Sequence, residues 1–288
     1  MWFWLALFFA LCSSGGIFIA KKVLKDTDVL VYISFGNLIS AILVGAFIFF
    51  QGFPQIDSSF LLAVLIAAGL GIFVNLSYIS AIKLAPISLT APMASFTPIV
   101  AMIFGFLLLS ENVSVVKLLG VLAIVLGAYL LNIADIKGGF AKPFKSLFSN
   151  RGVLLMLLAQ SLVGITPIFE KTAIFHTKPQ QPLMVAFGEL VLLTIFFFPL
   201  LLFKTKKAFF QFKRHLLWFI LPAPITVLSY AAGYTAYSLA NVGYVTAVFK
   251  LSTIFTIFLG AMFFGEKHIK ERLLGASVML AGTILLVL

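Results

Sequence analysis

The chain has 288 residues, is 62% hydrophobic and only 10% charged, carries a formal net charge of +11, and has a mean hydropathy of +1.17. A soluble domain averages about 25% charged residues, and no soluble fold of this length hides so much apolar surface, so lipid is the solvent. The single Cys12 excludes a disulfide framework within the chain and no residues space like a metal site; the Lys and Arg residues lie between apolar runs, where they read as anchors to an anionic leaflet rather than as a nucleic-acid surface.

Ten apolar runs follow in order. Trp2–Ala20 is uncharged up to Lys21-Lys22 and lacks the basic start and small-residue cleavage site of a signal peptide, so it is span 1. Spans 2 to 5 fall near Val29–Phe50, Phe60–Ile82, Pro86–Leu109 and Val115–Ile133. A basic linker, residues 135–151, separates them from spans 6 to 10, near Gly152–Phe175, Pro182–Phe203, Leu216–Leu239, Val242–Phe264 and Leu273–Leu288. Each is close to the ~20 residues that cross ~30 Å of hydrocarbon. Asn241 and Gly243 divide spans 8 and 9, where formal charge is missing from His215 to Phe249.

The second half repeats the first. Leu239–Leu286 lies on Leu84–Leu131 without a gap at an offset of 155, pairing Gly105 with Gly260, Glu111 with Glu266, Leu118-Leu119-Gly120 with Leu273-Leu274-Gly275, and Gly127 with Gly282. Ser34-Phe35-Gly36-Asn37 echoes Ala186-Phe187-Gly188-Glu189, and Phe18–Lys21 echoes Ile168–Lys171. The expected fold is therefore an all-α polytopic membrane protein, with ten transmembrane helices in two five-helix units, residues 1–134 and 152–288. An odd number of spans per unit inverts the second unit, the arrangement of many alternating-access transporters. The loops between spans 1–2, 3–4, 5–6, 7–8 and 9–10 hold sixteen of the twenty Lys and Arg residues, which places them in the cytoplasm and both termini outside.

Ten spans in two halves, with a Gly-Glu turn in FFGEKHIKERLLGASVMLAGTILL closing the fourth span of a half, resemble the EamA-type drug/metabolite transporter superfamily over essentially the whole chain. The resemblance implies a ten-helix basket whose cavity is lined by spans 1–4 and 6–9, with spans 5 and 10 outside, and both termini in the cytoplasm. Departures are Ser14-Gly15-Gly16 where many relatives carry Trp-Gly, and Asn37 and Glu189 where many carry Arg. The small four-span relatives use a glutamate in mid-span 1; this span 1 has no acid, so their proton coupling does not transfer.

The polar residues inside the spans are the candidates for function. Lys250 lies about seven residues, roughly 10 Å, into span 9, and its repeat mate is Ser95; Glu189 lies at similar depth in span 7 and its mate is Asn37. An intramembrane charge costs at least ~2.5–3.5 kcal/mol and faces protein or a water-filled cavity. Two readings stand: a structural or snorkelling Lys–Glu pair, or a site in which both groups meet a polar substrate. Span 4 carries Pro86, Pro92 and Pro98 with Ser88, Thr90, Ser95 and Thr97, the composition of a kinked helix. In span 8, Tyr230, Tyr234 and Tyr237 share one helical face; Tyr230, mated with Asn75, is expected in the cavity, while Tyr237 and Tyr244 suit an interfacial belt. Gln160 is either helix glue or a ligand contact. Glu170 and Lys171 read as a local or interfacial pair, and Glu111 and Glu266 as acids at the positive ends of spans 5 and 10.

An enzyme would need clustered His, Asp, Glu or Ser, but His176, His215 and His268 are scattered, and no nucleotide loop or nucleophile elbow is present. The expectation is a secondary transporter of small polar metabolites such as amino acids; the alternatives are a proton-coupled organic-anion or drug exporter, and a receptor or channel. No cofactor is expected, the partners are a small-molecule substrate and the bilayer, and the setting is the inner membrane of a prokaryote, as a monomer or weak dimer.

Overall fold

The computed structural model describes residues 1–24, 26–84, 91–133, 141, 150–256 and 269–288. Nearly all of them are helical, because in hydrocarbon each backbone N–H and C=O must be satisfied within its own segment. The helices are α1 (Trp2–Val23), α2 (Val29–Gln51), α3 (Ser58–Leu84), a 3₁₀ segment (Ala91–Phe96) running into α4 (Thr97–Leu109), α5 (Val115–Ile133), α6 (Arg151–Phe175), α7 (Pro182–Lys204), the short α8 (Ala208–Arg214) and α9 (Leu216–Ile220), α10 (Ala223–Leu239), α11 (Val242–Phe249) and α12 (Ile269–Val287). Pro86, Ser88, Thr90, Gly260, Glu266, His268 and most of the 135–151 linker lie outside the described residues.

Among the described residues, five helices are long and apolar enough to cross a membrane: Val29–Gln51, Ser58–Tyr78, Arg151–Phe175, Pro182–Lys204 and the run Leu216–Leu239. Shorter apolar helices, Trp2–Gly16, Met93–Leu109, Val115–Leu130, Val242–Thr256 and Leu274–Val287, accompany them. The exterior is apolar, with Trp4, Phe49, Phe50 and Phe203 exposed, while many of the buried positions are small: Ala6, Ala10, Ala63, Ala101 and Ala247. Small residues at contacts let helix backbones approach where lipid supplies no hydrophobic drive between helices. The chain is a polytopic membrane protein.

Caps set the helix ends. Asp28 Oδ1 accepts from the Leu30 N–H at 2.8 Å, Asp57 Oδ1 from Phe60 at 2.8 Å, and Asn150 Oδ1 from Gly152 at 2.9 Å, the side-chain service expected of N-cap Asp and Asn. α2 ends at Gly52, whose φ of 88° favours glycine.

Two runs that looked continuous are interrupted. Span 8 divides at Leu221-Pro222 into α9 and α10, since Pro222 lacks the N–H a continuing helix would use. Span 9 divides with no proline present: α11 stops at Phe249, Lys250 and Leu251 form a turn, and helix resumes at 252–256. The bonds across this turn are tight, Lys250 N–H to Ala247 O at 3.0 Å and Leu251 N–H to Val248 O at 3.0 Å, a 3₁₀ pattern. Span 4 carries its own 3₁₀ segment around Ser95, the repeat mate of Lys250.

Packing pairs α3 with α6, α1 with α10, α2 with α7, α4 with α11 and α5 with α12, and α4 and α11 also touch α6 and α1 respectively. The α5–α12 seam is glycine-lined: a Cβ on Gly120 would lie 2.9 Å from Gly282 O, and one on Gly127 would lie 2.5 Å from Gly275 O. Outside the helices, β1 (Gln55–Ile56) and β2 (Thr177–Lys178) pair antiparallel, Gln55 opposite Lys178 and Ile56 opposite Thr177.

Candidate functional site

Between α1, α3, α4, α6, α10 and α11 lies a cavity of about 420 Å³. Its polar lining comes from Ser13, Asn75, Thr97, Thr166, Glu170, Tyr230, Tyr234, Tyr237, Thr246, Lys250 and Ser252. Lys250 enters it from the break in α11, at a helix C-terminus whose carbonyls favour a cation. Among the described residues its ammonium has neither an ion pair nor a hydrogen bond. Glu170 enters from α6, three residues after Pro167.

Aromatic rings form the remaining wall. Phe9 stacks on Phe249 with centroids 3.9 Å apart at 26°. Gly233 makes this possible, since a Cβ there would lie 2.7 Å from the Phe9 ring. Tyr230 and Tyr234 meet edge to face at 6.2 Å, and the Tyr234 hydroxyl donates to Glu189 Oε2 at 3.0 Å. Glu170 is near enough to interact electrostatically with both Glu189 and Tyr234.

The expected site residues thus divide. Lys250, Asn75, Tyr230 and Tyr234 line the cavity, with the Asn75 amide donating back to Gly71 O at 2.8 Å. Glu189 stands behind Tyr234, and its Oε1 is buried without a hydrogen-bond partner among the described residues. Asn37 lines an adjacent cavity of about 250 Å³ together with Asn75, Trp218 and Tyr230. Ser95 is buried in the 3₁₀ segment. Gln160 is buried and accepts from Thr97 Oγ1 at 3.0 Å, tying α6 to α4. A third cavity of about 720 Å³, lined by Cys12, Ser13, Tyr32, Pro222, Thr226 and Tyr230, adjoins the other two. Tyr230 borders all three.

Three expectations are corrected. Glu170 and Lys171 are not a local pair: successive helical residues point about 100° apart, so Glu170 faces the cavity while Lys171 Nζ binds Glu111 Oε1 at 2.7 Å and Ala240 O at 2.7 Å. Glu111 does sit at a positive helix end, but that of α11: the Val242 N–H donates to both its oxygens, at 3.2 and 3.0 Å. Tyr237 and Tyr244 are not belt residues, at 6% and 5% exposed; Tyr237 lines the cavity and the Tyr244 hydroxyl accepts from the Ser114 N–H at 3.2 Å. The sequence signal for Glu170 was present, an acid within a span, but it was absorbed by the cation beside it.

The contacts of Glu111 belong to a closed face. The turn at Glu111-Asn112 is bound to Lys171 and to Asn241, whose Nδ2 donates to Asn112 O at 2.7 Å. On the same face, His176 Nδ1 lies 2.8 Å from Asp57 Oδ2, and Gln181 Nε2 donates to Gln51 Oε1 at 3.0 Å. The Phe60 N–H, then the His176 ring, hold the Asp57 carboxyl below the usual carboxylate range. These bonds tie the loops of that face to one another. The 720 Å³ cavity and the one beside Asn37 are instead both lined by Tyr32, Pro222 and Thr226, near the starts of α2 and α10.

A crystal structure described only as that of a protein has a TM-score of 0.73 to this chain at 14% identity, over 98% of this chain and 94% of that one, a likeness of fold. No curated protein sequence matches. The EamA-like transporter family matches twice, over residues 1–133 and again over 150–288. With a polar cavity enclosed among apolar helices, and this family matching over both halves, the chain belongs to the EamA-like transporter family and is a membrane transporter of the drug/metabolite type.

Proposed function

We propose that the chain moves a small polar metabolite, an amino acid or similar zwitterion, by alternating access between two inverted five-helix units, residues 1–134 and 152–288. The observation that carries the substrate class is the pairing of Lys250, without a partner among the described residues, with Glu170 on the wall of one cavity. Lys250 holds the carboxylate, a charge-assisted contact strengthened by the low dielectric. Glu170 receives the ammonium, and Glu189 fixes Tyr234 beside it. All three charges come from the second half, so the site is asymmetric and orients its ligand.

Ten spans and the inverted repeat are supported by the packing. Exchanging each helix of one unit for its mate turns the α3–α6 contact into α10–α1, and α4–α6 into α11–α1, while α2–α7, α4–α11 and α5–α12 map onto themselves. The glycine contacts follow the same rule, since Gly120 against Gly282 becomes Gly275 against Gly127. The sixteen basic residues of the odd loops support a cytoplasmic setting for that side, which makes the closed end the outer one.

A second reading, an organic anion held by Lys250 with Glu189 as a proton-linked partner, is favoured by the buried Glu189 Oε1, which has no hydrogen-bond partner among the described residues. One experiment separates the two. Purified wild type, Lys250→Met and Glu170→Gln are screened by thermal shift against amino acids and organic anions. The zwitterion reading expects amino-acid stabilisation lost in both variants. Stabilisation by anions alone, lost in Lys250→Met but kept in Glu170→Gln, selects the second reading. A best ligand that stabilises Lys250→Met as well as wild type makes Lys250 structural and removes both.

A further inference from the structure

The stretch from Phe203 to Arg214 is both strongly cationic and strongly apolar on its outside. It carries Lys204, Lys206, Lys207, Lys213 and Arg214 and no acid, and all five are exposed. Between them Phe203, Phe209 and Phe210 are 87%, 54% and 67% exposed. The inner face of α8 is fully engaged: Ala208 is buried, Phe212 stacks on Phe35 at 4.0 Å and 7°, and Gln211 Oε1 accepts the Asp28 N–H at 2.8 Å. So the outward face is not a packing surface awaiting another helix of this unit.

Neither bulk water nor hydrocarbon suits such a face. Water opposes three exposed phenyl rings, and hydrocarbon opposes five cations. The headgroup layer of an anionic leaflet satisfies both, with rings at the acyl boundary and cations among phosphates. The acids of the facing turn do not neutralise the patch: Asp28 Oδ1 is engaged by the Leu30 N–H, and no ion pair joins Asp26 or Asp28 to α8 among the described residues. His215 adds a buried Nε2 without a hydrogen-bond partner among the described residues.

We propose that the outer face of α8 and its flanking lysines form a binding surface for anionic phospholipid. The surface is coupled to the transport path by its inner face. Phe212 and Gln211 hold Phe35 and the Asp28 backbone at the start of α2. Between them, Tyr32 lines two of the three cavities. A phospholipid that pins α8 therefore pins the start of α2 beside those two cavities. The proposal does not depend on which substrate the cavity holds.

Trp218, partly buried beside Phe212 and Phe219, is the reporter. The 288-residue chain with Trp2→Phe and Trp4→Phe has Trp218 as its single tryptophan. It is reconstituted in phosphatidylcholine containing equal fractions of brominated phosphatidylglycerol or brominated phosphatidylcholine, and quenching gives the relative association of the two lipids. The expected preference for the anionic lipid is at least about fivefold, the worth of one cation at an anionic surface. It falls toward one at high salt and in Lys206→Gln/Lys207→Gln/Lys213→Gln/Arg214→Gln, whose melting in pure phosphatidylcholine stays that of the parent. Equal quenching by both lipids in the parent, a preference that survives high salt, or one abolished by millimolar inorganic phosphate overturns the proposal; the last outcome assigns the patch to soluble anions.

Discussion

Removing Lys171 tests whether the Glu111 cluster is the bolt of the closed face. Lys171 and Glu111 side chains are only 11% and 8% exposed, so solvent screens the pair little. The ammonium serves Glu111 Oε1 and Ala240 O, both at 2.7 Å, while the same carboxylate accepts the first N–H of α11. Among the described residues, Lys171→Met leaves a buried carboxylate held by the Val242 N–H alone and takes away the Nζ bond to the Ala240 carbonyl. Breaking a buried pair from one side costs about 3–5 kcal/mol. Glu111→Gln retains a neutral hydrogen bond and should lose less, about 1.5–3 kcal/mol. Replacing both, as Glu111→Leu/Lys171→Met, removes the stranded charge and should recover much of the loss.

Because the cluster ties the turn after α4 to α6 and to the start of α11, the loss falls on the closed conformation rather than on the open one. A shift of about 3 kcal/mol moves such an equilibrium by roughly 150-fold. The assay is a single cysteine at Thr246, which lines the cavity, in a Cys12→Ser background in sealed vesicles. An impermeant thiol reagent is applied from the side that carries the Glu111 turn. Labelling should accelerate by on the order of 10² in Lys171→Met. An unchanged rate in a variant that still folds refutes the bolt, since the pair would then be equally intact in both conformations.

The remaining predictions are narrower. A Cβ on Gly282 would lie 2.7 Å from Gly120 O and 2.8 Å from the Ile124 N, and backbone cannot yield as a side-chain tip can. Gly282→Ala should therefore destabilise by about 1–3 kcal/mol as α5 and α12 separate; a wild-type melting curve would show that the seam is looser. For pH, Asp57 has a lowered folded value, so its contribution is present above the ordinary carboxylate range and is lost as pH falls through that lowered value. The stability gap between wild type and Asp57→Asn should accordingly shrink as pH falls below the ordinary carboxylate range; a gap that still widens below that range reverses the sign and rejects a carboxyl held below its usual range.

Much of the molecule was legible from residue order alone. An apolar run of about 20 residues has one fate in hydrocarbon, so the spans and the membrane class follow from composition. The internal match of Leu239–Leu286 to Leu84–Leu131 was visible because glycine and glutamate are rare enough here for an ungapped match to be informative; Gly120, Gly127, Gly275 and Gly282 meet at one seam. Lys250, Tyr230, Tyr234 and Asn75 stood out because a polar side chain inside a span must face protein or water.

Which way each helix turns was decided only in three dimensions. In a soluble helix the apolar stripe reveals the inward face, but these helices are apolar all round, so rotation carries no periodic signal. That is why Glu170 and Lys171, adjacent in sequence, were indistinguishable until packing sent one into the cavity and the other to Glu111 and Ala240. The break of α11 at Lys250 has no proline or glycine to announce it. Nor could the partner of Glu111 be read locally: the cation lies 60 residues away and the N–H it caps 131 away. These contacts are set by how the helices pack on one another, a tertiary property that no single helix encodes.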